Sequence, residues 1–285
     1  MLKKRFIAFI TLAMLFCLLC GCTAVHAEGG VEMLVLTVGK ADAIILKLED
    51  KNYLIDAATS KMDKQLMTGL EAMGITKLDA VFLTHTDKDH GGGMKKLGKS
   101  DIEIDAWYAS AFYIDKTPEK HQAYLAAKER GQEVTFLKAG DSIAISETSY
   151  FEVIAPIHFY DDSENNNSLV MIVHTPHGRI LLAADMQIPE EMDVLAAKSV
   201  VPCEVLKVGH HGDNRASSYN FLATVKPQIA VISTSTEEEN DTPSGDVLQG
   251  LRQVGAKTYV TQATEGGVLV TLKDGIAIAE YVNFQ

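Results

Sequence analysis

The sequence predicts an α/β domain in which short strands outnumber helices, and three observations carry that prediction. Apolar runs such as Val31–Val38 and Ala80–Leu83 recur between turn-forming residues. Between some of them lie segments with apolar residues at helical spacing, opened by a hydroxyl residue and closed by glycine. No tandem repeat, low-complexity stretch or interior linker interrupts the pattern, so residues 31–285 read as one domain.

Val31–Val38, Ala43–Leu48 and Asn52–Ile55 are separated by short turns and read as successive antiparallel strands. Met62, Leu66, Leu70 and Met73 share one face of a helix over Lys61–Met73, with Ser60 placed to cap it and Gly74 to end it. Ala80–Leu83 is a wholly apolar, buried strand. A second helix, Pro118–Arg130, has Thr117 as N-cap, Pro118 at its first position, His121 on its polar face and Gly131 as its stop. Strands follow at Glu133–Leu137, Ser142–Ile145, Tyr150–Ile154, Leu169–His174 and Arg179–Ala183. Pro189–Ala197 reads as helix, Glu204–Val208 as strand and Tyr219–Thr224 as helix. Ile229–Ser233, Val247–Val254, Thr258–Thr261 and Val268–Leu272 continue the alternation, and Lys273-Asp274-Gly275 turns the chain into a last strand, Ile276–Tyr281.

The N-terminus carries an address. Lys3, Lys4 and Arg5 precede an almost unbroken apolar segment, Phe6 to Leu19, followed by Cys20-Gly21-Cys22. A positive start, a short apolar core and small residues at its end make a secretory signal. The segment is shorter than the roughly 20 apolar residues a membrane span needs. Leu19-Cys20-Gly21-Cys22 resembles the bacterial lipobox, which gives a leader over residues 1–21, lipid on Cys22 and a short linker over 22–30. Cleavage after Ala27, in Val25-His26-Ala27, is the competing reading. The expectation is a protein exported and lipid-anchored at the outer face of a bacterial cell membrane, or secreted, with no later segment able to span the bilayer.

Cys203 is then the single thiol of the folded body, without an internal disulfide partner, and reads as buried packing. The formal charge is −12, and removing Lys3, Lys4 and Arg5 with the leader leaves −15. Such a chain repels polyanions at long range, so action on DNA or RNA requires a local basic strip or bridging metal ions.

The chemistry concentrates in Thr84-His85-Thr86-Asp87-Lys88-Asp89-His90-Gly91-Gly92-Gly93. His85, Asp87, Asp89 and His90 fall within six residues at the mouth of the Ala80–Leu83 strand, and the glycines are expected to let the backbone turn tightly around one point. Further groups stand at other strand ends: Asp185 after Leu181-Leu182-Ala183-Ala184, and His210-His211 after Leu206-Lys207-Val208-Gly209. Alone, the aspartate reads as a turn former and the histidines as a surface loop; together they supply what half a metal site lacks.

These motifs resemble the metallo-β-lactamase superfamily, and within it the hydrolase domain of ComEC-type competence proteins. The likeness rests on Val38-Gly39-Lys40-Ala41-Asp42-Ala43, Tyr53-Leu54-Ile55-Asp56-Ala57, His85-Thr86-Asp87-Lys88-Asp89-His90, Asn165-Asn166-Asn167-Ser168-Leu169-Val170 and Leu206 to Gly212. It runs from about Leu36 to Tyr281. The resemblance implies an αββα sandwich: two mixed sheets face to face, helices outside, metal site at one edge. It also implies two divalent ions, Zn or Mn. His85, Asp87 and Asp185 would hold the first; Asp89, His90, Asp185 and His210 the second, with Asp185 bridging. Two such ions, ~3.5–4 Å apart, can share a hydroxide and clamp the attacking and leaving oxygens. The catalytic candidates are Asp89, also a ligand, and His211, either a partner behind a ligand or the acid for the leaving group. Asp56 is expected to support a ligand imidazole. Asn167 and Ser168 could donate to a substrate oxyanion, and local loop bonding accounts for them equally well. One departure stands out: where relatives carry His-Pro, this chain has Thr242-Pro243, and a threonine replaces neither an imidazole ligand nor its proton.

The activity implied is that of an exported metal-dependent phosphodiesterase or nuclease, acting on a small phosphodiester or single-stranded nucleic acid. A hydrolase of a small ester, lactone or cell-wall phosphodiester is the alternative favoured by the acidic charge, and a non-catalytic metal-binding lipoprotein is the third.

Overall fold

The computed structural model describes residues 29–114, 121–237 and 241–284. The leader, Cys22, the alternative cleavage after Ala27, and the expected cap Thr117-Pro118 lie outside the described residues.

Two sheets form the centre. The first is eight-stranded, in the spatial order Ile276–Val282, Gly267–Lys273, Val31–Leu36, Ile44–Leu48, Lys51–Ile55, Ala80–Leu83, Trp107–Ser110, Val134–Leu137. The second is seven-stranded, in the order Lys257–Val260, Ile229–Ile232, Val205–Lys207, Gly178–Leu182, Val170–Thr175, Tyr150–Ala155, Ser142–Ala144. Both mix parallel and antiparallel pairs.

The alternation of side chains along each strand assigns its residues to different layers. Val31, Met33 and Val35 face inward and meet Phe151, Met171, Val173, Leu182 and Val231 of the second sheet in one apolar core. Leu34, Leu36 and Ile45 point the other way and pack against Leu66 and Leu70 of the helix Asp63–Ala72, with Met94, Leu97 and Ala126. On the far side, Ile172, Leu181 and Leu206 pack against Val194, Phe221 and Leu251 of three further helices. Three apolar layers between four layers of structure make an αββα sandwich. Strands buried on both faces are apolar in both parities, which is why several read as continuous hydrophobic runs. Cys203 is buried there as well, with its thiol pushed up to about 12 by burial.

Several elements differ from expectation: the first helix spans Asp63–Ala72 with Met62, not Ser60, at its N-cap, and a short helix, Met94–Gly98, was not anticipated. The second helix spans Gln122–Glu129, and its cap is His121, whose Nδ1 accepts from the Tyr124 amide. His121 is therefore buried beneath Tyr113 and Phe136 and not on a polar face. Trp107–Ser110, unanticipated, is a parallel strand between Ala80–Leu83 and Val134–Leu137. Its four residues carry too little periodicity to announce a strand; the neighbours on both sides make it one.

The topology also places the chemistry. Lys51–Ile55, Ala80–Leu83, Gly178–Leu182, Val205–Lys207 and Ile229–Ile232 take part in parallel pairs within their sheets. The segments that leave them carry Asp56, His85, Asp185, His211 and Ser233. Asp42 precedes the antiparallel Ile44–Leu48 strand and so joins the same edge. Crevices beyond the carboxyl ends of parallel strands are where open α/β sheets bind ligands. No helix among the described residues is long and apolar enough to cross a membrane.

Candidate metal centre

The first half of the centre is local. After Leu83, the Thr84 amide and hydroxyl both donate to the Asp56 carboxylate, each at 2.8 Å, fixing the chain as it leaves the sheet. Asp87 then opens a one-turn helix, Lys88–Gly91, without using its carboxylate as a cap. That turn carries Asp89 and His90, while Asp87 Oδ2 lies 3.6 Å from His85 Nε2. The glycines act differently from the expected tight turn: Gly92 and Gly93 have right-handed helical backbones. A Cβ on Gly93 would sit 2.2 Å from the Ala57 carbonyl oxygen, so the residue is needed for close approach of this segment to the Asp56 loop.

The second half is strained. Ala184, just before Asp185, has φ +47°, and His210 and His211 have φ +46° and +55°. Left-handed backbone costs roughly 1–2 kcal/mol for such residues and persists only where surrounding contacts enforce it. Here the His210 amide donates to the Ala184 carbonyl at 2.9 Å, tying the two turns to each other.

Both halves converge on Asp185. Its carboxylate lies 3.3 Å from His90 Nε2, 3.5 Å from His211 Nε2, 3.8 Å from His210 Nε2 and 3.9 Å from His85 Nε2. Asp89 Oδ2 is 3.4 Å from His211 Nε2. Asp89, His90, Asp185 and His211 bring one donor atom each within 4.8 Å of all the others. The three imidazoles His85, His90 and His211 share one arrangement, with Nδ1 occupied from behind. His90 Nδ1 donates to Asp56 at 2.7 Å and His211 Nδ1 to the Ser233 carbonyl at 2.9 Å. The Thr84 hydroxyl gives its proton to Asp56 and therefore accepts from His85 Nδ1, at 3.1 Å. With Nδ1 so engaged, it is the Nε2 atom of each ring that faces the centre, where a proton or a cation can be held. All three Nε2 atoms, with Asp185 Oδ1, are buried without a hydrogen-bond partner. Buried polar atoms are almost always paired, so this convergent set fits a cation.

The electrostatics agree. Burial works against a charged His90, but Asp185 and Asp56 more than offset it and hold its pKa well above the ordinary imidazole range. The same contest, with Asp185 and Asp89 prevailing, pushes His211 up to about 9. Despite burial, His211 and His90 hold the Asp185 carboxyl well below its usual range. The centre is built to hold positive charge.

Several sequence expectations land elsewhere. The geometry puts His211, and not His210, in the four-donor group. His210 is flanked instead by two amides, with Asn165 Nδ2 3.1 Å from its Nε2 and Gln187 Nε2 3.3 Å from its Nδ1. Asn167 is not aimed at a substrate: its side chain bonds the Tyr160 amide, the Tyr160 carbonyl and the Ser163 carbonyl, consuming the whole amide inside its loop. Ser168 is wholly buried and its hydroxyl accepts from the Asp185 amide at 3.3 Å, which positions the backbone that carries the Asp185 carboxylate. Thr242 is buried with its hydroxyl 2.7 Å from that of Thr234.

Sequence reasoning gave no role to Asp42, Lys207 or Ser233, which meet behind His211. Lys207 was the readable signal, as a cation inside an apolar strand. Beside the centre, Asp87, Asp162, Glu164, Asn165, Gln187 and Arg215 line a cleft in which carboxylates outnumber cations.

Comparison with known proteins agrees with this geometry. ComE operon protein 3 of Bacillus subtilis is 31% identical over 195 residues, covering 67% of this chain and 24% of that protein. Competence protein ComA of Neisseria gonorrhoeae is 26% identical over 237 residues, covering 82% of this chain and 31% of that protein. The chain thus spans about a quarter to a third of these relatives. The metallo-β-lactamase fold protein YhfI of Bacillus subtilis superposes with a TM-score of 0.54 at 10% identity, over 88% of this chain and 100% of that one. Residues 36–236 match the model of the metallo-beta-lactamase superfamily, and with its ligand-bearing strand ends in place the chain belongs to that superfamily.

Proposed function

We propose that this protein is an exported, lipid-anchored phosphodiesterase that uses two divalent ions, Mn²⁺ at least as well as Zn²⁺, on small diesters. The observation that carries the reading is the set of three buried, unpartnered Nε2 atoms around Asp185. His85 and Asp87 would hold one ion, and Asp89, His90 and His211 the other, with Asp185 shared. This replaces His210 by His211 in the set first inferred. Bound there, the ions supply Lewis acidity and an activated water. Everything else is the work of the chain. Asp56 and the Ser233 carbonyl keep His90 and His211 facing inward, and Ser168 orients Asp185. His210 is braced by Asn165 and Gln187, which line the cleft beside the centre, and in this reading it stands towards the substrate. Carboxylates are hard donors, which favours Mn²⁺ as a competitor of Zn²⁺.

The phosphodiester reading draws support from the competence proteins among the relatives. The preference for a small substrate draws on the net charge and on Asp162 and Glu164 at the cleft, which disfavour a long polyanion. Lipidation of Cys22 and export rest on the leader alone.

The test is the steady-state rate of metal-loaded protein on bis-p-nitrophenyl phosphate, single-stranded DNA and a lactone panel across a salt series. The small diester should be cleaved at least as readily per bond as DNA, and low salt should not accelerate the DNA reaction. Fast, strongly salt-sensitive DNA cleavage would overturn the small-substrate preference. Absence of diester cleavage with any ion would favour the lactonase or the non-catalytic reading.

A further inference from the structure

We propose that Lys207 and Asp42 form an internal clamp that sets the spacing between the two halves of the metal centre, and that both are positioning residues for its cations. The inference rests on the metal-centre reading above.

Lys207 lies in the Val205–Lys207 strand of the second sheet and Asp42 in the turn before Ile44–Leu48 of the first; both are 0% exposed. Lys207 Nζ crosses between the sheets to within 2.9 Å of Asp42 Oδ2, and it also donates to the Val208 carbonyl at 3.0 Å. Asp42 then touches both halves. Its amide donates to the Asp89 carbonyl at 3.0 Å, and its carbonyl accepts from Ala58 at 2.7 Å, beside the Asp56 loop. Its Oδ1 accepts from the Ser233 hydroxyl and lies 3.6 Å from His211 Nδ1. One residue therefore holds the main chain of the contiguous ligand loop and backs the imidazole that comes from the other sheet.

The apolar layer between the sheets cannot do this, because hydrophobic contact is non-directional and tolerates small slides. A charge pair in a low-dielectric interior attracts strongly and resists being pulled apart. Such a pair is a poor source of stability, since desolvation costs several kcal/mol per ion. Its place, directly behind a ligand imidazole, suits a geometric role.

The test removes both charges together. Asp42→Leu with Lys207→Met leaves no unpaired buried ion, so thermal unfolding and circular dichroism should stay near the parent. Mn²⁺ affinity by calorimetry should nevertheless fall ~10–100-fold, the scale seen when outer partners of metal ligands are lost. The visible bands of bound Co²⁺ should change shape, which loss of bulk stability does not produce. If the apolar pair does not fold, the near-isosteric neutral pair Asp42→Asn with Lys207→Gln carries the same comparison. A folded double variant with parental Mn²⁺ affinity and an unchanged Co²⁺ spectrum overturns the clamp. A parent protein that binds neither ion overturns the metal-centre reading and the clamp with it, and that result is read before any variant is made.

Discussion

The half of the metal centre that follows Ala80–Leu83 draws His85, Asp87, Asp89 and His90 from one short stretch, whereas the half on the second sheet collects Asp185 and His211 from two strand ends. The first half has ordinary backbone, a strand end and a single helical turn. The second runs through left-handed residues at Ala184, His210 and His211. The difference teaches how the centre is specified. Contiguous ligands are aimed by local geometry and need only a close-packed glycine beneath them. Dispersed ligands are aimed by strand register and tolerate strain because neighbouring strands enforce it.

Asp185 comes from the second half but is the carboxylate on which the imidazoles of both halves converge, so its removal should have the largest effect. Asp185→Ala should lose both ions in elemental analysis and lower diester turnover by ~10³-fold or more, the equivalent of several kcal/mol of charge stabilisation. Unchanged metal content would end its assignment as the shared ligand.

Within the second half, adjacent histidines should separate cleanly. His211→Ala should bind close to one ion fewer, while His210→Ala should keep the parental metal content and lose activity by ~10–100-fold. Loss of metal from the His210 variant alone would restore the assignment first made from sequence. Which ring joins the four-donor group is illegible there because His210 and His211 are neighbours with the same chemistry. Only the left-handed backbone at both decides which ring meets Asp89 and which lies between Asn165 and Gln187.

Backbone packing offers a third contrast. Gly93→Ala should destabilise the protein by about 3 kcal/mol or more, because the carbonyl of Ala57 cannot retreat from a Cβ at 2.2 Å. Gly212→Ala, with φ +80° and its nearest contact at 3.0 Å, should cost only ~1–2 kcal/mol. Urea unfolding of the two variants ranks them, and equal costs would erase the distinction between a close approach and a strained turn.

His121 supplies an effect confined to acid pH and a control for the histidines of the centre. His90 is buried among carboxylates that raise its pKa, but burial alone acts on His121 and pushes it down to about 4. The unfolded chain takes up this proton near the ordinary value of 6.5, the folded chain only near 4. Stability from this residue is thus complete above pH 6.5 and is lost as pH falls towards 4, by up to about 2–3 kcal/mol. His121→Asn keeps an N-cap and removes the titration, so its stability should fall less steeply across that window. Parallel curves for parent and variant would contradict the assignment.

The sequence by itself determined most of the strand and helix order and the contiguous ligand loop, since each is written in neighbouring residues whose periodicity or spacing survives without the fold, and its motifs carried the resemblance to the superfamily. Trp107–Ser110, the burial of His121 and the commitment of Asn167 to its own loop were decided by tertiary contacts. So was the meeting of Asp42, Lys207 and Ser233 behind His211. Those residues come from three separate segments and two sheets, and no local pattern records them. Their shared position follows from the parallel register of the second sheet and the face-to-face stacking of both, because only there do strand ends distant in sequence share one edge.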